Sequence, residues 1–456
     1  MKVKIKIAFA LFVLFTGSFT LSAQDNKLQI KGSLLTDQRF RLKDDNPWSW
    51  NENRLDLQLE KKISGAKFYS DIWVRNFGVP NITSTDQLYN PDETSPINLQ
   101  FREGYVSLYG FLTKNLDVTI GRQRIAWGTG DKLNPTDNLN AYDLEDIWDF
   151  GRHFGSDAVR MIYYMNDFRI EGVYIPFFRP ASLPAGDWIS ALVPQPDLPP
   201  GMQIKSFTDT LFMPQNNLSN SYTAALKFGG YLKGFDFSLS YVYNIDGLPL
   251  TYYNTFIPVD TIGGVTIESQ AFYPRQHIFG ADLAGAIGSV GVWAEAAMFL
   301  PEEEVVMSND LSLLYPQSPV PVIVDTVVLE KKPYVKFVVG TDYTFGDGSY
   351  FNFQYLHGFI HERGSENLND YFMMGYEKKF FNDNLKIVPL AGGFVVGDWD
   401  DIPNNYAIIY APTISYYPNN DTEINIGVRL LDGKGDNTFA KVAGMDEFVF
   451  SLKYSF

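Results

Sequence analysis

From about residue 28 to the C-terminus, apolar and polar side chains alternate along the chain with a period of two. That period belongs to β-strands, whose successive side chains point to opposite faces. Leu55, Leu57 and Leu59 fall on one face, with Arg54, Asp56, Gln58 and Glu60 on the other. Phe68, Ile72 and Val74 oppose Lys67, Tyr69, Asp71 and Arg75. Near the end, Ile424, Ile426, Val428 and Leu430 oppose Glu423, Asn425 and Arg429. The pattern predicts strands at 28–42, 52–63, 66–77, 98–110, 115–126, 157–165, 168–177, 219–232, 235–245, 274–287, 290–299, 333–345, 349–360, 369–381, 385–396, 404–417, 422–431 and 445–456.

The links between these segments decide which architecture they build. Every second link is short, Leu112-Thr113-Lys114 among them, and most carry Gly, Asn or Asp, as tight hairpins require: Ser64-Gly65, Asn166-Asp167, Lys233-Gly234, Gly288-Ser289, Asn382-Asp383-Asn384. The intervening links are mostly longer. A soluble sandwich has no reason to gather its long loops at one end, whereas an outer-membrane barrel has short periplasmic turns, long outer loops and an even strand number. The expected fold is therefore all-β, a transmembrane antiparallel up-and-down β-barrel of about 18 strands, with 16 as the alternative count. Tyr109, Tyr163, Tyr164, Tyr416 and Tyr417 lie near strand ends, where rings favour a membrane–water boundary.

Composition narrows the picture. Lys2, Lys4 and Lys6 precede an apolar run from Ile7 to Phe15, and Leu21-Ser22-Ala23 offers a cleavage point. Residues 1–23 thus read as a signal peptide and 24–456 as one barrel domain. No later stretch has 18 consecutive apolar residues, so membrane passage by helices is not expected. Cysteine is absent, which excludes disulfides and thiolate metal sites. The net charge of −16 argues against nucleic acid as a partner. No nucleotide-binding or nucleophile-elbow motif stands out, and the chain has only four His, so no enzymatic activity, cofactor or metal is expected.

Two stretches resemble known proteins. The ending Phe448-Val-Phe-Ser-Leu-Lys-Tyr-Ser-Phe456 is similar to the terminal strand of outer-membrane barrels. That likeness implies that Tyr454 and Phe456 form the signal read by the barrel-assembly machinery. A second stretch runs from Phe101-Arg-Glu-Gly-Tyr-Val-Ser-Leu108 through Gly121-Arg-Gln-Arg-Ile-Ala-Trp-Gly128 to Leu133-Asn-Pro-Thr-Asp137. It resembles porin-like families of the alginate-export type, with Gly104 where those families usually carry Ala. The resemblance implies an outer-membrane channel, often eighteen-stranded, and no particular solute.

In such a barrel the inward side chains set selectivity. Alternation assigns Lys31, Asp37, Arg39, Arg54, Asp56, Glu60, Asp71, Arg75, Glu103, Arg160, Arg169, Glu171 and Arg429 to the lumen. Arg122 and Arg124 share the parity of lipid-facing Ile120: either a bulge near Gly121 turns them inward to line the pore, or this part of the strand rises beyond the apolar band. The link from Gly128 to Gly155 is the candidate constriction, through Asp131, Asp137, Asp143, Glu145, Asp146, Asp149 and Arg152. Its carboxylate spacing does not match a calcium loop. The expected function is passage of small hydrophilic solutes across the outer membrane. The alternative is a loop-plugged transporter for hydrophobic or amphipathic molecules. The expected surroundings are outer-membrane lipid, with a monomer slightly favoured as the assembly.

Overall fold

The computed structural model describes residues 27–43, 47–80, 82–184, 186–192, 198, 201–260 and 262–456. The expected leader lies outside the described residues. In chain order the first strands are β1 (Gln29–Arg41), β2 (Trp48–Ile63), β3 (Ala66–Phe77), β4 (Ile97–Leu108), β5 (Leu116–Gln123), β6 (Ser156–Met165), β7 (Phe168–Ile175) and β8 (Gln203–Phe212). Next come β9 (Thr223–Leu232), β10 (Phe235–Ile245), β11 (Leu250–Pro258), β12 (Gly264–Phe272), β13 (Arg275–Ile287), β14 (Val290–Pro301), β15 (Val305–Asp310) and β16 (Ile323–Leu329). The last are β17 (Tyr334–Thr344), β18 (Tyr350–His357), β19 (Asp370–Phe380), β20 (Leu385–Val396), β21 (Tyr406–Tyr410), β22 (Thr413–Asn419), β23 (Thr422–Lys434) and β24 (Glu447–Ser455).

Nineteen of these pair into one antiparallel sheet that closes on itself, because β24 returns to β1 from Ser33↔Ser455 to Arg41↔Glu447. The wall has 18 strands, since β21 and β22 are two halves of one strand lying between β20 and β23. Ala411-Pro412 interrupts it, and Pro has no N–H for the ladder. The short links are tight turns. Lys233 and Gly234 both take positive φ (51° and 92°), the conformation of a type I′ hairpin whose twist matches the flanking strands.

The other five strands form a separate sheet in the order β16-β15-β11-β12-β8, beyond the long-loop end of the wall. The hydrophobic pattern alone reads these segments as loops. They sit between wall strands, and the parallel pairs β8–β12 and β11–β15 join residues distant in sequence.

Cross-strand register carries one face around the barrel. Ile30, Leu34, Phe68, Val106, Ile120, Leu239, Phe279, Val339, Ile426 and Leu452 point outward and are exposed, the arrangement a lipid-facing belt requires. The inward face divides along its length. Towards the short turns it is polar: Lys31, Asp56, Glu60, Asp71, Glu103, Arg160, Arg169, Glu171, Lys227, Asp282, Asp342 and Lys453. Towards the long loops, much of the wall from β6 to β23 is apolar inside. There Val173, Val242, Ile278, Leu356, Tyr371, Val395 and Leu431 are buried against chain folded into the barrel. A uniformly wet interior, the simplest expectation from alternation, is thus corrected: the long-loop half holds a packed core.

Candidate functional site: a segment clamped across the lumen

The chain after β5 does not leave the barrel. Residues 124–155 turn inward and cross the lumen, burying Ile125, Trp127, Leu133, Leu139, Leu144, Ile147 and Phe150. Buried polar groups must find partners or carry the full cost of lost hydration. The wall supplies those partners from both sides.

On the β1–β4 side the clamp is made of guanidinium–carboxylate pairs. Arg39 grips Asp146 bidentately at 2.9 and 2.7 Å and Asp37 at 3.1 and 2.6 Å. Arg75 donates to Glu52 at 2.7 Å and to Glu145 at 2.8 Å. Arg102 donates to Asp143 at 2.7 Å and to the His153 carbonyl at 2.8 Å. Within the segment, Arg152 pairs with Asp143 and Glu145. Arg124 pairs with Asp137, while its backbone N–H donates to the Glu103 carboxylate at 2.7 Å. Planar guanidinium forks suit such two-oxygen contacts better than an ammonium would.

On the opposite side the acceptors belong to the wall. Glu295 of β14 takes the backbone N–H of Thr129 (2.8 Å), Gly130 (3.1 Å) and Thr136 (2.6 Å), together with the Thr136 hydroxyl (2.8 Å). Gln354 of β18 accepts from the Asp131 N–H at 2.9 Å, and Glu171 of β7 from the Trp127 indole at 3.0 Å. Gly128 has φ +95°, and a Cβ there would lie 2.5 Å from a Glu295 oxygen, so the close approach needs glycine. The segment is therefore tied to strands on both sides of the bore.

Burial opposes charge on Asp143 and Asp146, but Arg152 and Arg102 around the first, and Arg39 and Arg429 around the second, outweigh it. Both carboxyls are held below the ordinary range. Burial, followed by the charges of Lys336, Arg363 and Lys441, pulls the His361 imidazole, on the link between β18 and β19, down to about 3. Among the described residues, no three His, Asp or Glu side chains are grouped to hold a metal ion.

The sequence-derived candidates divide into three sets. Arg39, Arg75, Asp137, Asp143, Glu145, Asp146 and Arg152 meet in the clamp, with Glu103 and Arg124 beside it. Lys31, Arg54, Asp56, Glu60, Asp71, Arg160, Arg169 and Glu171 share the inward register, and Arg160 pairs with Glu171 at 2.8 Å. Arg429 also faces inward, near Glu447 and over the Trp148 ring. Asp131 and Asp149 enter this bonding only through their backbone.

Arg122 is corrected. No bulge interrupts β5, where Gly104↔Arg122 follows Tyr105↔Gly121, so Arg122 keeps the outward parity of Ile120. There it pairs with Asp157 at 2.8 Å, at the long-loop end of the strand, where an outward charge costs little. The bulge lies in β4 instead, between the partners of Asp71 and Ile72. It brings Arg102 inward alongside Glu103, which strict alternation from Glu103 does not foresee. Glu295, with Gln354, was among the other anchors missed. Its signal was present: it is the only charged residue between Val290 and Pro301.

No protein-family model matches the chain, and no curated protein matches it. Among solved structures it is similar to OmpF of Salmonella typhi in complex with daunomycin, at 12% identity and a TM-score of 0.42, over 96% of this chain and 99% of that one. It is also similar to in-vitro folded OmpT, an outer membrane protein of Vibrio cholerae, at 12% identity and a TM-score of 0.41, over 96% and 100% of the two chains. Likeness this distant says nothing about what the chain does. The alginate-export family finds no support among these comparisons.

Proposed function

We propose that this barrel resides in an outer membrane and passes small hydrophilic solutes selectively, with residues 124–155 as its constriction. The observation that carries the reading is the two-sided clamp: Arg39, Arg75 and Arg102 on one wall, Glu295 and Gln354 on the other. A barrel serving only as an anchor has no need to hold a segment across its bore. The polar half of the lumen below it offers charges of both signs to a hydrated solute. Its closing strand, ending at Tyr454 and Phe456, serves in the same reading as the assembly signal.

Planar-bilayer recording of the purified protein tests this. Discrete conductance steps are expected, rising several-fold when residues 129–150 are replaced by a short Gly-Ser linker. Neutralising Asp137, Asp143 and Asp146 together is expected to lower cation preference. Absence of current from both the intact and the shortened protein overturns the reading. The apolar core of the long-loop half favours a second reading, a plugged transporter for amphipathic molecules. That reading expects no ion current from the intact chain alone.

A further inference from the structure

Between the inward segment and the β7–β18 side of the wall lies a cleft that opens to solvent at its mouth. Among the polar side chains lining it, Asn244 (5% exposed), Gln276 (7%) and Tyr334 (4%) are more than nine-tenths buried. Asn244 and Gln276 face each other across the β10–β13 ladder. Asn244 donates its amide N–H to the Asn138 carbonyl at 3.0 Å, and its buried Oδ1 has no partner. The Gln276 amide and the Tyr334 hydroxyl, open to the cleft, have no hydrogen-bond partner among the described residues. Buried polar groups are nearly always satisfied, so the orphaned Asn244 oxygen points to an occupant, with the Gln276 amide and Tyr334 hydroxyl beside it in the same cleft.

Two of the charged groups lining the cleft are engaged within the protein. Asp246 is paired with Arg363 at 2.8 Å, and the Lys336 ammonium donates to the carbonyls of Phe359 (2.6 Å) and Ile360 (3.1 Å). Arg179 also lines the cleft, donating to the Gly155 carbonyl at 3.4 Å and lying over the Phe154 ring, with no carboxylate of the described residues paired to it. The buried atom left without a partner, the Asn244 oxygen, is neutral. The Asn244 oxygen requires a donor, which a carboxylate or phosphate group does not supply. Phe177 and Phe299 add apolar ring surface to the same lining. Ring faces together with neutral amide and hydroxyl groups match an uncharged molecule bearing hydroxyls on a compact ring.

We infer that this cleft binds a neutral sugar of one or two rings through Asn244, Gln276 and Tyr334. The inference deepens the channel reading by naming a solute class, and its test reads binding apart from passage. Isothermal titration of the full protein in amine-oxide micelles, which contain no sugar, is carried out with glucose, maltose and glucuronate. Saturable binding of glucose or maltose is expected, with glucuronate weaker. Gln276→Leu and Tyr334→Phe are each expected to weaken it about tenfold, the scale of one neutral hydrogen bond. Tyr334→Phe keeps the ring in place, and heat-modifiable gel mobility shows whether each variant is folded. No saturable heat with either neutral sugar overturns the inference. So does binding of glucuronate in preference, or neutral-sugar binding unchanged in both folded variants. Liposome swelling by the same sugars reports on the channel reading separately: binding without swelling refutes passage and leaves the site standing.

Discussion

Replacing Glu295 by Gln should release one end of the lumen segment. The carboxylate serves five donors: the N–H groups of Thr129, Gly130 and Thr136, the Thr136 hydroxyl and, at 3.4 Å, the Asn134 amide. An amide of the same shape keeps one acceptor oxygen and turns an NH2 towards the others. With Oε1 left to Thr136, the Thr129 and Gly130 amides face another donor. A buried donor without an acceptor costs about 1–3 kcal/mol, so two cost about 4 kcal/mol. That corresponds to roughly a thousandfold shift in the docked-to-released ratio. Hydrogen exchange followed at the Thr129, Gly130 and Thr136 amides reads this directly. In the variant those amides should exchange about a thousandfold faster than in the parent. Amides in β9 and β10, which do not touch Glu295, should keep their rates. Unchanged exchange at the three sites would refute the assignment of Glu295 as an anchor. Equal acceleration throughout the barrel would show that the substitution acts on the wall instead.

Two further outcomes follow from the same structure. His361 is held near 3 when docked and has an ordinary value of about 6.5 when released, so the released link takes up a proton more readily and acid favours release. The effect is absent above about pH 6.5 and reaches about 2 kcal/mol by pH 5, so exchange protection of residues 358–369 should fall over that range and stay level in His361→Gln. Protection independent of pH in the parent would contradict the burial of this ring. Deleting Phe456 removes the reciprocal backbone pair with Gly32, both bonds at 3.0 Å, at the seam that closes the barrel. Surface yield of the truncated chain should drop sharply, and normal yield would remove the terminal aromatic from the assembly step.

The wall was legible in the sequence because period-two alternation and turn chemistry agree at nearly every hairpin. Lys233-Gly234 and Asn166-Asp167 announce their turns, and all the wall strands lie where the pattern places them. The five outer strands were not legible, because pairing such as β8 with β12 depends on where the barrel puts its loops, not on local pattern. The clamp was half visible. Its acidic side stands in one stretch, Asp137 to Asp149, and Arg39 and Arg75 follow from parity. Arg102 was hidden by a bulge, which shifts parity without leaving a Gly or Pro mark at the site. Arg122 was ambiguous because its partner, Asp157, belongs to the next strand and offsets its outward charge. The apolar inner half was obscured for a different reason. Where both faces of a strand are covered, one by lipid and one by packed loops, alternation no longer tells outside from inside.

The central claim is that the face carrying Leu55, Leu57 and Leu59 meets lipid while the face carrying Asp56 and Gln58 meets the lumen. The chain has no native cysteine, so single cysteines along β2 label without background. Spin labels at 55 to 59 in lipid vesicles, read by power saturation, should alternate: oxygen-accessible at 55, 57 and 59, accessible to a water-soluble nickel chelate at 56 and 58. Chelate access at all five positions, or oxygen access without alternation, would contradict the barrel's placement in a membrane.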